Sequence, residues 1–167
     1  MRTKKPISVE NAFAKAAALC SRCEQAESDI RRKLSDWGIS QNDADNIIQK
    51  LIDQRFLDEV RFASAFTRDK FRFEGWGRIK ISYNLKMKHI SSHIIEEALA
   101  LIDEEEYTAT LKRILSAKMR TLTAKEPLQA KASLVRFAAS RGFEPNLIYK
   151  YLPDFPDSDN YESQEYC

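Results

Sequence analysis

The chain has 167 residues, of which 43% are hydrophobic, 31% charged and 10% aromatic. This suffices for a folded core of modest size and is too aliphatic for a disordered chain, while the longest apolar run is only a few residues, far short of the roughly 20 a membrane-spanning helix needs. The formal charge of +2 hides a division: after Leu152 come Asp154, Asp157, Asp159, Glu162 and Glu165 with no Lys or Arg, so residues 1–152 hold 27 basic against 20 acidic residues.

In chain order, Met1 to Pro6 is basic, but Glu10, Asn11 and Lys15 interrupt the apolar stretch of about 7–15 residues that a secretory signal requires. A cytoplasmic protein without membrane attachment is the expectation, with Cys20, Cys23 and Cys167 as free thiols. An amphipathic helix is predicted over about residues 10–20. Ile30 and Leu34 mark a second, which ends in a turn at Gly38, and Ser40 caps a third carrying Ala44, Ile48 and Leu51. In Phe56-Leu57-Asp58-Glu59 the apolar pair closes this group, Asp58 caps the next helix and Glu59 favours its positive end. A helix over about 59–73 follows, then one with Ile81 and Leu85, a turn at His89, and one capped by Ser91 with Ile95 and Leu99. A helix over about 106–119 carries Leu111 and Leu115. Leu134 and Ala138 precede a turn at Gly142, and Pro145 fits the first turn of the last helix. Apolar residues recur at three or four, not two, and glycine and proline are scarce, so the fold class is all-α.

The spacing is also repetitive. Ile30, Leu34, Ile39, Ala44, Ile48 and Leu51 recur 51 residues later as Ile81, Leu85, Ile90, Ile95, Leu99 and Ile102. A weaker copy appears 53 further on as Leu134, Ala138, Phe143, Ile148 and Leu152. Each copy follows an amphipathic helix, so the unit is a three-helix module of about 50 residues. The expected architecture is an elongated array of three tandem modules, 8–57, 58–104 and 105–152, with a flexible N-terminus over 1–7 and an acidic disordered tail over 153–167. Small modules gain stability by stacking.

Charge is concentrated between Arg61 and Lys88, where Arg61, Arg68, Lys70, Arg72, Arg78, Lys80, Lys86 and Lys88 face only Asp69 and Glu74. Interleaved Phe71, Phe73, Trp76 and Tyr83 fit a nucleic-acid surface in which cations meet phosphates and rings stack on bases. They fit equally a charged helix surface with Phe62, Phe66 and Phe73 as core. A second cluster, Lys112, Arg113, Lys118, Arg120 and Lys125, is either a further basic edge or a solvated face; Arg31, Arg32 and Lys33 flank core positions and point outward. The acidic tail is a candidate competitor for the basic surface. Cys20, Cys23, His89 and His93 supply zinc-ligand types, but the pairs belong to different modules, and His89 is a turn residue. No nucleotide-binding glycine loop or nucleophile elbow is present, so binding without catalysis, metal or cofactor is expected.

Several of these stretches, taken together, resemble the RecX regulators of bacterial RecA recombinase. Ser28-Asp-Ile-Arg-Arg-Lys-Leu34 with Trp37-Gly-Ile39 is similar to that family's "ELRRKL...KGF", and Gln54-Arg-Phe-Leu-Asp-Glu-Val-Arg-Phe-Ala63 to its "GYLDDERFA". Gly75-Trp-Gly-Arg78 with Ile81, Leu85 and Lys88-His-Ile90 resembles the next module's pattern, and Arg136-Phe-Ala-Ala-Ser-Arg-Gly-Phe143 the closing "RFLxRRGF". The match runs from about residue 10 to 152. It departs at Cys23, where Arg is common, at His89, which replaces a glycine, and at Ala138 and Ser140. The resemblance implies a non-enzymatic cytoplasmic monomer that binds the groove of the RecA–DNA filament and inhibits filament growth, ATP hydrolysis and strand exchange, acting in recombination, repair and the SOS response. The expected filament- or DNA-binding residues are Arg31, Arg32, Arg68, Lys70, Arg72, Arg78, Lys80, Lys86, Lys88, Lys112, Arg113, Lys118 and Arg120. Partners are RecA and single- or double-stranded DNA. The alternative is an autonomous nucleic-acid-binding or architectural protein.

Overall fold

The computed structural model describes residues 7–122 and 126–154. The expectations for Met1–Pro6, for Lys125 and for the tail from residue 155, with its acids and Cys167, lie outside the described residues. Among the described residues there are nine helices and no strand: α1 (Val9–Arg22), α2 (Glu27–Asp36), α3 (Gln41–Asp53), α4 (Glu59–Glu74), α5 (Arg78–Met87), α6 (Ser92–Ala100), α7 (Glu104–Met119), α8 (Pro127–Ser140) and α9 (Pro145–Tyr151). None is long and apolar enough to cross a membrane.

The helix boundaries follow from local chemistry. Ser40 Oγ accepts from the Asp43 amide at 3.2 Å, and Asp58 Oδ1 accepts from Arg61 N–H at 2.9 Å, so both cap as their types predict. Asp103 does the same for α7 by accepting from the Glu106 amide. Ser91 occupies the cap position of α6, but its hydroxyl makes no capping bond. Pro145 opens α9.

The three turns of the repeat share one geometry. Gly38, His89 and Gly142 have φ of 80°, 63° and 92°. In each case the next amide reaches back to the helix: Ile39 N–H to Leu34 O, Ile90 N–H to Leu85 O, and Phe143 N–H to Ala138 O, at 3.0–3.2 Å. A left-handed residue is what lets the last carbonyls of a helix be satisfied this way. Glycine adopts it freely, and His89 is the one of the three that does so with a side chain.

By compactness the chain forms two units, residues 1–69 with 82–101 and residues 70–81 with 102–167. Their boundary falls inside α4 and α5, so the helices of the middle repeat contribute to both. In the first unit α3 packs on α1 and α2, with Ala12, Ala16, Ile30, Leu34, Ile47, Ile48 and Leu51 as the core and Phe13, Trp37 and Phe56 around it. In the second, α8 packs on α7 and α9, and Phe71, Tyr107 and Phe143 stack through the centre with ring centroids 5.7 and 5.0 Å apart.

The division has a local cause: in each unit the start of one repeat's second helix sits on the turn of the following repeat. In the first, Ser28 Oγ donates to Lys88 O at 2.9 Å, and Lys88 Nζ reaches Asp29 Oδ2 at 2.6 Å. In the second, Gly77 N–H donates to Arg141 O at 2.7 Å and Ile79 N–H to Gly142 O at 3.0 Å. The approach is so close that a Cβ at Gly77 would overlap the Gly142 carbonyl and one at Gly142 would overlap Lys80. Ala26 and Gly77, 51 residues apart and both buried, are the small residues this docking requires.

Candidate nucleic-acid interface

The predicted cations divide between the two units. In the first, Arg31 is engaged by Glu27 and Asp45, which raise its pKa, chiefly through the hydrogen bond to Asp45. Arg32 pairs with Asp29 at 3.1 Å and Arg68 with Asp69 at 3.5 Å. Lys88 is half-buried between Asp29 and the Phe62 ring. Lys86 is exposed and has no ion pair among the described residues. Such exposed pairs contribute about 0–1 kcal/mol each and can be exchanged for a phosphate. Lys88, placed beneath a turn by two interactions, is instead part of the fold.

In the second unit Arg78 has a similar internal role. Its side chain is only 20% exposed, it pairs with Glu104 and Glu144, and its guanidinium lies 3.9 Å from the centre of the Tyr107 ring. Tyr107 is fully buried; its hydroxyl donates to Glu144 Oε2 at 2.6 Å and accepts from the Arg78 amide at 3.0 Å. Gly77, which precedes α5, has no side chain to cap it, so a hydroxyl from α7 takes that place. Burial, then the bond to Glu144, pushes the Tyr107 phenol well above the usual range, so it stays a neutral donor.

Exposed Arg72 and Arg113 and half-buried Lys118 and Arg141 line a cleft of about 450 Å³ between the end of α4, the second half of α7 and the end of α8. α4 contributes Arg72 and Phe73. α7 contributes Arg113, Ile114, Ala117 and Lys118, one face of a helix by their spacing. α8 contributes Phe137, and Arg141 follows it. The Lys118 ammonium and Arg141 guanidinium lie 5.2 and 5.4 Å from the Phe137 ring centre. The lining carboxylate, Glu74, is engaged by Lys70, and its backbone carbonyl accepts from Arg141 at 3.0 Å. Lys70 and Lys80 both lie over the Trp76 ring, at 4.7 and 4.4 Å. Lys112 lies 4.8 Å from the Tyr151 ring centre, and Arg120 is exposed beyond the end of α7.

Among the aromatics, Phe71 is core and Phe73 is 83% exposed. The reading of Phe73 as core is therefore corrected. The core stripe of α4 is Ala63, Thr67 and Phe71, four residues apart, and Phe73 lies about 200° round the helix from Phe71. Phe137 and Arg141 were not among the sequence candidates; neither stands near Arg72 or Arg113 in the chain.

The other cleft, about 590 Å³ in the first unit, mixes Glu27, Asp58 and Glu59 with Arg55 and Arg61. Burial, then Glu27, raises the Glu59 pKa. Among the described residues no group of three or more His, Cys, Asp or Glu is arranged to hold a metal. Cys20 is half-buried, with its thiol pushed up by burial and then by Glu24. Cys23 is exposed, and His93 pairs with Glu97 on its own helix at 3.2 Å.

Residues 58–99 match the family model described as RecX, second three-helix domain, and residues 104–152 the one described as RecX, third three-helix domain. The chain belongs to the RecX family. It is 30% identical over 126 residues to the regulatory protein RecX of Clostridium botulinum strain Eklund 17B, an alignment covering 74% of this chain and 58% of the relative. The chain thus spans under two thirds of that relative's length. To the Vibrio campbellii regulatory protein RecX it is 27% identical over 144 residues, covering 86% and 90% of the two chains. Two solved RecX structures share the fold. One superposes with a TM-score of 0.77 at 20% identity, covering 84% of this chain and 70% of that one. The other, from Lactobacillus salivarius, does so at 0.75 and 19% identity, covering 86% and 93%.

Proposed function

We propose that this chain is a RecX-type regulator that acts by binding, as a cytoplasmic monomer, to the RecA–DNA filament and slows filament growth, ATP hydrolysis and strand exchange. The observation that carries this reading is membership of the RecX family across the second and third repeats. The chemistry is compatible. Exposed Arg68, Lys86, Arg113 and Arg120 offer positive charge to DNA or to an acidic protein surface, and no reaction has to be catalysed if one filament state is bound better than another. The three-module organisation, 8–57, 58–104 and 105–152, belongs to the same proposal, with the docked repeat turns as its joints. The test is RecA filament growth on a single-stranded DNA at increasing concentrations of this chain. Growth slows on this reading, and undiminished growth at several-fold excess over filament ends and protomers contradicts it.

A second reading, autonomous DNA binding, is favoured by the cations around the α4–α7–α8 cleft. It predicts tight, steeply salt-dependent binding to naked DNA with no requirement for RecA.

A further inference from the structure

The α4–α7–α8 cleft has a feature that charge alone does not explain. Phe73 presents an almost fully exposed ring beside a concave, positively charged surface. Burying such a ring is favourable and leaving it in water is not, so its position is informative only together with what surrounds it. Arg72, Arg113, Lys118 and Arg141 line the same cleft. The opposing negative groups are already answered: Glu74 by Lys70, and the last carbonyl of α4 by Arg141. Arg113 has no ion pair among the described residues, and Arg72 holds Glu106 only by an exposed contact at 3.4 Å. Both guanidiniums are therefore available to a phosphate at little expense.

A flat exposed ring bordered by exchangeable guanidiniums suits a chain that alternates phosphates with unstacked aromatic faces. We propose that this cleft binds single-stranded DNA, with one base on Phe73, phosphates on Arg113 and Arg72, and Lys118 and Arg141 supplying the field. An acidic peptide would satisfy the cations but leave the Phe73 ring unused. A duplex would satisfy them too, but its bases are stacked on one another and cannot reach the ring. The proposal extends the DNA-binding part of the function above and does not require RecA.

The test uses the full chain and fluorescein-labelled dT15, an abasic strand of the same length and charge, and a 15-bp duplex, followed by anisotropy. Phe73→Ala is expected to weaken dT15 binding by about 5- to 150-fold, the loss of one stacked base. It should leave the abasic strand and the duplex unaffected. Phe73 is exposed and outside the core, and Phe73→Leu, with matched helix content, serves as the second variant and weakens dT15 binding in the same way. Arg113→Ala should lower the salt slope for dT15 by about 0.7, one phosphate on a single strand. Equal affinity of the parent for dT15 and the abasic strand overturns the proposal. So does unchanged dT15 binding by both Phe73 variants, or displacement of dT15 by a 15-residue glutamate peptide with the same dependence on Phe73. If the parent fails to slow RecA yet shows the dT15 pattern, the regulator reading falls and this site stands. If it slows RecA while Phe73 has no effect on dT15, the reverse holds.

Discussion

Tyr107→Phe tests the packing of the second unit with a single atom. The phenol oxygen makes two hydrogen bonds, one donated to the Glu144 carboxylate at 2.6 Å and one accepted from the Arg78 amide at 3.0 Å. A bond to a charged group contributes about 1.5–3 kcal/mol and a neutral one about 0.5–1.5 kcal/mol, so removing both destabilises by about 2–4.5 kcal/mol. The ring contacts with Phe71 and Phe143 remain, because phenylalanine fills the same space. What is lost is the cap of α5, whose first amide then lacks a partner in a half-buried site. Urea unfolding monitored by circular dichroism should show a lower midpoint with an unchanged slope. Tyr107→Leu should be worse, since it also breaks the ring stack. A Tyr107→Phe protein within about 0.5 kcal/mol of the parent would refute the cap, since a loss that small is less than a single neutral hydrogen bond between two uncharged groups supplies.

Four other outcomes are expected. Leu85→Ala, at a fully buried position, should destabilise by about 2–5 kcal/mol in the same denaturation experiment, and an unchanged midpoint would contradict its core placement. Gly77→Ala should destabilise by about 1–3 kcal/mol or more, because the added Cβ meets backbone rather than a movable side chain; a neutral effect would mean that the docking on the Gly142 turn is looser than drawn. At pH 8 the Cys20 thiol, whose pKa is raised, holds less thiolate than an ordinary cysteine, so iodoacetamide should label exposed Cys23 first; mass spectrometry showing Cys20 labelled first would reverse the assignment. Replacing Arg68, Lys70 and Arg72 together by Glu should weaken DNA or filament binding while leaving helix content intact, and unchanged affinity at moderate salt would remove this stretch of α4 from the interface.

The fold was legible because its rules are local. Helix periodicity and the 51-residue recurrence need only neighbouring residues, and His89 could be read as a turn because Gly38 and Gly142 stand at the equivalent places. What the local pattern concealed had two causes. Thr67 puts a polar residue in the Ala63, Thr67 and Phe71 stripe of α4 and so hides it, while Phe73, seven residues after Phe66, has the spacing of a core position and is exposed. The other cause is distance along the chain. Arg78 finds Glu104 and Glu144, and Lys88 finds Asp29, across 26 to 66 residues, so no spacing rule separates these fixed cations from the exposed Arg68, Lys86 and Arg113. For the same reason Phe137 and Arg141 gave no signal as partners of Arg72. Family resemblance carried the order of the motifs, while which charges face outward is decided by tertiary ion pairs that no local spacing encodes.

The central claim is regulation of RecA through binding. Its most direct measurement is the DNA-dependent ATPase of RecA titrated with the full chain. The account predicts that ATP hydrolysis falls as the chain is added and that charge reversal at Arg68, Lys70 and Arg72 shifts the titration to higher concentration. An ATPase unchanged at several-fold excess over RecA would contradict it.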